Sequence, residues 1–210
     1  MTEWVWDDDF MSEIRKKVDQ VIKLGITAYM KENGFKKTGR DWRKETPDGW
    51  HLMNIQASAY NKGQLGKIAV NLGIYNTEIE DIALQFHYKE KNTLPKATGA
   101  TLECRLNRLA YDQLGHWWVI DSGTDLQETA NEVVSKMTSH GMPWLIENDN
   151  VSDISDLLRD SAGNKAAIVA ALISGDTEEA TRRFRQALEC RPHGAESLKK
   201  WAMAQKLDLV

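Results

Sequence analysis

The sequence predicts an α+β fold: an antiparallel sheet of about five strands with flanking helices, plus a C-terminal helical appendage. Three observations carry this expectation. Apolar residues recur at spacings of three and four from Ile14 to Met30, the period of an amphipathic helix. Apolar and polar residues then alternate over 50–60 and again over 67–75, the period of half-buried strands. From about residue 150 onward the chain carries helix signals and no strand signal.

The first helix has Ile14, Val18, Val21, Ile22, Ile26, Tyr29 and Met30 on one stripe, with Arg15, Lys16, Lys17, Asp19, Gln20 and Lys23 filling the opposite arc. Asp9 or Ser12 suits its N-cap, and Asn33-Gly34 stops it, because glycine takes the left-handed C-terminal position at little cost. A polar, β-compatible stretch over 35–46 leads to Pro47-Asp48-Gly49, where proline presets φ and glycine admits a turn. The next strand sets Met53, Ile55, Ala57 and Ala59 on one face against Trp50, Leu52, Asn54, Gln56 and Ser58 on the other. After Asn61-Lys62-Gly63, Ile68, Val70, Leu72 and Ile74 alternate with Lys67, Ala69, Asn71 and Gly73. Three strands joined by short turns make a meander.

Residues 77–99 admit a short helix over 79–86 or an edge strand, with Pro95 as a break. Strands follow over 100–106 and 116–120. A helix then opens at Thr124, which has capping-box spacing to Gln127; it buries Leu126, Ala130, Val133, Val134 and Met137, and Gly141 and Pro143 end it. In the appendage Ser152 caps a helix over 153–160, and Ser161 opens another that Gly175 closes. Asp176 and Glu179 start a helix running to Cys190, and Pro192 and Gly194 precede a last one carrying Leu198, Trp201 and Ala202. The organisation expected is an acidic aromatic arm over 1–12, an α+β body over 13–148 and a helical subdomain over 149–210 packed on it.

Composition limits function. The chain is 41% hydrophobic and 28% charged, enough to bury a core and remain soluble. Its net charge of −4 argues against a general affinity for nucleic acid or anionic membrane. The longest apolar run, Ala166 to Ile173, falls well short of the roughly 20 residues that cross a bilayer. Glu3 and Asp7 to Asp9 give the start the wrong charge for a leader. Two cysteines, Cys104 and Cys190, fit a reducing, cytoplasmic setting better than a disulfide framework.

No HExxH, CxxC, P-loop or GxGxxG spacing occurs, and the five histidines share no ligand spacing, so neither a metal nor a cofactor is expected. Cys104 and His116 form a conceivable nucleophile–base pair, against the commoner reading of a buried cysteine as a small hydrophobe. Lys36, Lys37, Arg40, Arg43 and Lys44 surround Trp42, a pattern that suits single-stranded nucleic acid or, with more weight, a charge-protected edge strand. Convergent amides and a guanidinium suggest a binding surface of Arg40, Trp42, Trp50, Gln56 and Asn71.

The succession GFKKTGRDWRKE, a strand ending NIQAS, then IAVNLGIY, LECRL, HWWVID and GMPWL resembles the DUF4304 family, a domain of unknown function, over about residues 13–160. The resemblance implies an α+β domain of bacterial cytosolic proteins and brings no established catalytic residues. It emphasises Gly34, Phe35, Gly39, Arg40, Gln56, Asn71, Gly73, Cys104, Trp117 and Trp118, with the glycines read as turns and bulges. The function expected is a non-catalytic protein-binding domain, an immunity- or antitoxin-like partner of a toxin in a bacterial conflict system. The alternatives are a small-polar-ligand binder or hydrolase using the sheet face, and a single-stranded nucleic-acid binder through Lys36 to Lys44.

Overall fold

The computed structural model describes residues 8–58, 65–83, 94–111, 117–161, 163–207 and 209. It is an α+β fold with an antiparallel sheet. The aromatic residues Trp4 and Trp6 of the expected arm lie outside the described residues. From Asp8 the backbone is already helical: α1 (Asp8–Val21) passes through a π turn at Ile22–Ile26 into α2 (Thr27–Glu32). The buried stripe is the one the periodicity predicts, with Val18, Val21, Ile22, Ile26 and Met30 all at most 1% exposed.

The sheet runs β1 (Lys36–Thr38), β2 (Asp41–Thr46), β3 (Gly49–Ala57), β4 (Gly66–Asn76) and β5 (Leu102–Arg105) in order, with β6 (Trp118–Ile120) also paired to β4. The polar stretch expected as one strand is two, because Gly39-Arg40 turns the chain back and pairs Thr38 with Asp41. β5 covers Asn71 to Ile74 of β4 and β6 covers Gly66 to Ile68, along the same edge. In the gap between them the Val70 amide donates instead to Asn107 Oδ1 at 3.3 Å, on α4 (Leu106–Tyr111), so the buried donor is satisfied by a side chain.

The ambiguous stretch after β4 contains α3 (Thr77–Ala83), started by Asn76 Oδ1 accepting from the Ile79 amide at 3.0 Å. The next helix, α5 (Leu126–Lys136), is capped by Asp125, whose Oδ1 accepts from Gln127 and Glu128; Thr124 instead bonds Asp121. Gly141 and Pro143 do not end it. A π turn at Met137–Gly141 carries the chain into α6 (Met142–Glu147), where proline occupies the first turn and has no amide to satisfy.

Beyond it, α7 (Val151–Leu157) and α8 (Lys165–Ile173) are capped by Asn150 and Asn164 rather than by the serines. Asp176 caps α9 (Thr177–Cys190) as its spacing predicts, and α10 (Ala195–Ala204) follows. The apolar run expected to be too short for a membrane is α8, with Ala166 through Ala171 all buried. A helix apolar on every side must be enclosed on every side. α8 packs on α3, α7 and α9, and Arg183 of α9 donates to the Ala167 and Ser155 carbonyls at 2.6 and 2.9 Å. One contiguous cluster of buried side chains runs from Ile14 to Leu209. Among the described residues no helix is long and apolar enough to cross a membrane.

Candidate functional site

Strand parity sends alternate side chains to opposite faces of the sheet. Trp42, Met53 and Leu72 stand in register on the inner face, as do Ile55 with Val70 and Ile68 with Trp118; this face packs against the helices. On the outer face Asp41, Asn54, Asn71 and Arg105 form one row across β2 to β5, and Arg43, Leu52, Gly73 and Glu103 form the next.

Residues 94–101 lie over the second row. Arg43 Nε donates to the Pro95 carbonyl at 2.7 Å, and Ala97 and Leu52 are fully buried. A Cβ placed on Gly73 would stand 2.8 Å from Ala100 Cβ and 3.0 Å from Ala97 Cα. Gly73 is therefore neither a turn nor a bulge; its missing side chain lets this segment lie against the strand.

The first row is a polar network. Asn71 Nδ2 donates to Gln56 Oε1 at 3.1 Å and to Asn54 Oδ1 at 3.4 Å. Asn54 Nδ2 donates to Asp41 Oδ1 at 2.9 Å. At the β5 end of this row the Arg105 guanidinium lies 5.0 Å over the Trp117 ring, a cation–π contact, and Val119, opposite Lys67, is 44% exposed. The outer face thus combines fixed amides, a stacked Arg–Trp pair and an exposed aliphatic side chain.

Of the five binding residues expected, Gln56 and Asn71 are hydrogen-bonded to each other on this face. Arg40 meets the network only through its backbone carbonyl, which accepts from Asn54 Nδ2 at 3.3 Å; its guanidinium reaches from the β1–β2 turn toward α1, with Nη2 2.9 Å from Asp19 Oδ1. Trp42 is 1% exposed on the inner face, because its partner Met53 has core parity, and its ring carries Lys37 Nζ at 5.5 Å. Trp50 shares the outer face but lies at the far hairpin end, between Glu45 and Tyr75. The surface is completed by Asn54, Arg105, Trp117 and Val119. Parity along 50–57 exposes the first to inspection, but the other three depend on which edge β5 and β6 take.

The basic run is dispersed by the same parity. Lys36 and Lys37 point to opposite faces, Arg40 is held by Asp19, and Arg43 is buried on Pro95. The Lys44 stem lies half-buried near Gly34. These five cations form no continuous track for phosphates.

Two titratable groups, one half-buried and one buried, bear on catalysis. Burial pushes the Cys104 thiol up despite the nearby Arg108, so it favours the protonated, weakly nucleophilic form; its suggested base, His116, lies outside the described residues. His51, 5% exposed on the inner face, has Nε2 3.1 Å from Asp149 Oδ2. Burial outweighs that carboxylate and lowers the imidazole pKa, which favours a neutral ring bridging β3 to the segment after α6. Among the described residues no group of three or more histidine, cysteine, aspartate or glutamate side chains is placed to hold a metal.

Comparison with curated proteins and with solved structures finds no match. The model of DUF4304, a domain of unknown function, matches residues 26–147, which span the whole sheet and the helices from α2 through α6, and the chain belongs to that family.

Proposed function

We propose that this chain is a non-catalytic protein-binding domain, an immunity- or antitoxin-like cytosolic partner of a bacterial toxin, and that it holds its partner on the outer sheet face around Arg105, Trp117 and Val119. The observation that carries the reading is the Arg105–Trp117 stack beside the fixed Asp41–Asn54–Asn71–Gln56 network. Arginine and tryptophan are the side chains that dominate interface energetics when they become desolvated, and Val119 adds an apolar neighbour. The amides are oriented before a partner arrives, which lowers the ordering cost of binding. The Arg105 charge fits a partner presenting acidic side chains. Two free thiols, Cys104 half-buried and Cys190 exposed, favour a reducing compartment.

The test is calorimetric titration with the protein encoded beside this one. Trp117→Ala and Arg105→Glu are each expected to weaken binding more than tenfold, the effect of losing a hot-spot contact of about 1.4 kcal/mol or more. Binding that both variants leave unchanged, with their melting curves intact, refutes this face; no binding by the native chain refutes the partner.

A further inference from the structure

A cavity of about 580 Å³ opens where the family domain meets the helices beyond it. Its walls come from α3, residues 99–101, the start of α8, the end of α9 and the start of α10. That volume lies in the range of small-molecule sites. Ala83, Ala100, Ala166, Ala187 and Leu198 supply an apolar lining, and three charged side chains interrupt it: Glu80, Lys165 and Arg191.

Each of the three is held in place by its surroundings. Glu80 is 5% exposed, and its carboxyl meets the Thr101 hydroxyl, whose oxygen accepts from the Asn76 amide at 3.0 Å. Burial pushes this carboxyl pKa up, so a ligand that donates to it relieves a desolvation cost. Lys165 lies 5.0 Å over the Trp201 ring, and burial lowers its pKa, again a charge short of solvation. The Arg191 guanidinium lies against Gly163: a Cβ there would stand 2.8 Å from Nε and 3.0 Å from Cζ. Among the described residues neither Lys165 nor Arg191 sits in an ion pair with a carboxylate. Apolar walls interrupted by a buried carboxyl, a half-exposed Lys165 without a carboxylate partner and an exposed Arg191 at the rim form a built recognition site rather than a packing fault.

We propose that this cavity binds a small organic anion, its acidic group against Lys165 and Arg191, its apolar body on the alanine and leucine lining, and a hydrogen-bond donor at its other end against Glu80. The site is distinct from the Arg105–Trp117 surface of the outer sheet face. Most of its lining, from Gly163 to Leu198, falls outside residues 26–147, so it is a property of this chain's C-terminal helices rather than of the family domain.

The test uses the full chain and 8-anilinonaphthalene-1-sulfonate, an aromatic body with one anionic group, followed by fluorescence. One saturable site is expected in the native protein. Lys165→Ala with Arg191→Ala, and separately Ser197→Trp at the exposed rim, are each expected to weaken it at least tenfold while leaving the melting curve unchanged. The competitors are 4-aminobenzoate, benzoate and aniline. 4-Aminobenzoate is expected to displace the probe best and aniline, which lacks the carboxylate, worst; Glu80→Gln should remove most of the advantage of the amino group. Absence of a saturable site, or equal binding by native and rim-blocked protein, overturns the cavity assignment. Displacement by aniline as good as by benzoate overturns the anionic class.

Discussion

Glu80 is the side chain whose charge costs the fold most visibly. It is 5% exposed, and burial raises its pKa above the ordinary glutamate range while the Thr101 hydroxyl only partly compensates. The folded pKa exceeds the unfolded one, so the native state binds the proton more tightly. The stability this contributes is full below the unfolded pKa, about 4.3, and is lost as pH rises through the folded value. Glu80→Gln keeps an acceptor for Thr101 and removes the charge. It is expected to raise the melting temperature by a few degrees at pH 8 and to change it little at pH 4, read by calorimetry at the two pH values. An equal shift at both would mean that the effect is packing rather than charge. His51 works in the opposite sense: its lowered pKa makes its contribution full above about pH 6.5 and lost as pH falls. Neither behaviour was legible in the sequence, because Glu80, one of three acids in TEIEDIA, and a lone His in GWHLM carry no sign of what will cover them. Burial of a polar residue is decided by the segments that return to it, here Thr101 and Asp149.

At the scale of elements, the segment over 94–101 decides how much of the outer sheet face is open, and Gly73 decides whether that segment can lie there. Adding a methyl group at a strand glycine ordinarily gains about 0.5–1 kcal/mol of backbone entropy. Here the new Cβ would sit 2.8 Å from Ala100 Cβ and 3.1 Å from the Ala97 carbonyl oxygen, and overpacking of that kind costs about 1–3 kcal/mol. The clash outweighs the gain, so Gly73→Ala is expected to lose about 1–2 kcal/mol in denaturant unfolding. It should also speed hydrogen exchange over 94–101, while exchange in α5 and α9 stays unchanged. The helices and the meander β2–β3–β4 were legible because their apolar residues recur at one period over many residues. The short elements were not. α3 and α4 are seven and six residues, below the length at which period separates helix from strand. Helix caps also misled: serine or threonine at the expected caps lost to a neighbouring Asp125, Asn150 or Asn164, which cap as well and which the surrounding turns favoured. On the outer sheet face, which we propose binds the partner, strand parity places Gln56 beside Asn71, whereas proximity along the chain does not bring Trp42 to them.

For the whole molecule, the family match stops at residue 147 and the core does not. Ile79 and Ala83 of α3 are at most 3% exposed, and α3 packs against α8; Trp201 of α10 donates its Nε1 hydrogen to the Ile82 carbonyl at 3.0 Å. His51 in mid-sheet meets Asp149, two residues past that boundary. Removal of the C-terminal helices would therefore uncover α3 and leave a buried histidine without its carboxylate. Each apolar side chain of Val, Leu or Ile size returned to water forfeits about 1.5–3 kcal/mol, against a total stability of about 5–15 kcal/mol for an ordinary domain. A fragment ending at residue 147 cannot absorb several such losses. It is expected to show no cooperative thermal transition and to bind 8-anilinonaphthalene-1-sulfonate non-saturably, as exposed apolar surface does, while the full chain melts in one transition. A fragment that melts cooperatively would show that the sheet and its inner helices hold a sufficient core alone. The helices after residue 147 would then be an attachment to the fold rather than part of what makes it stable.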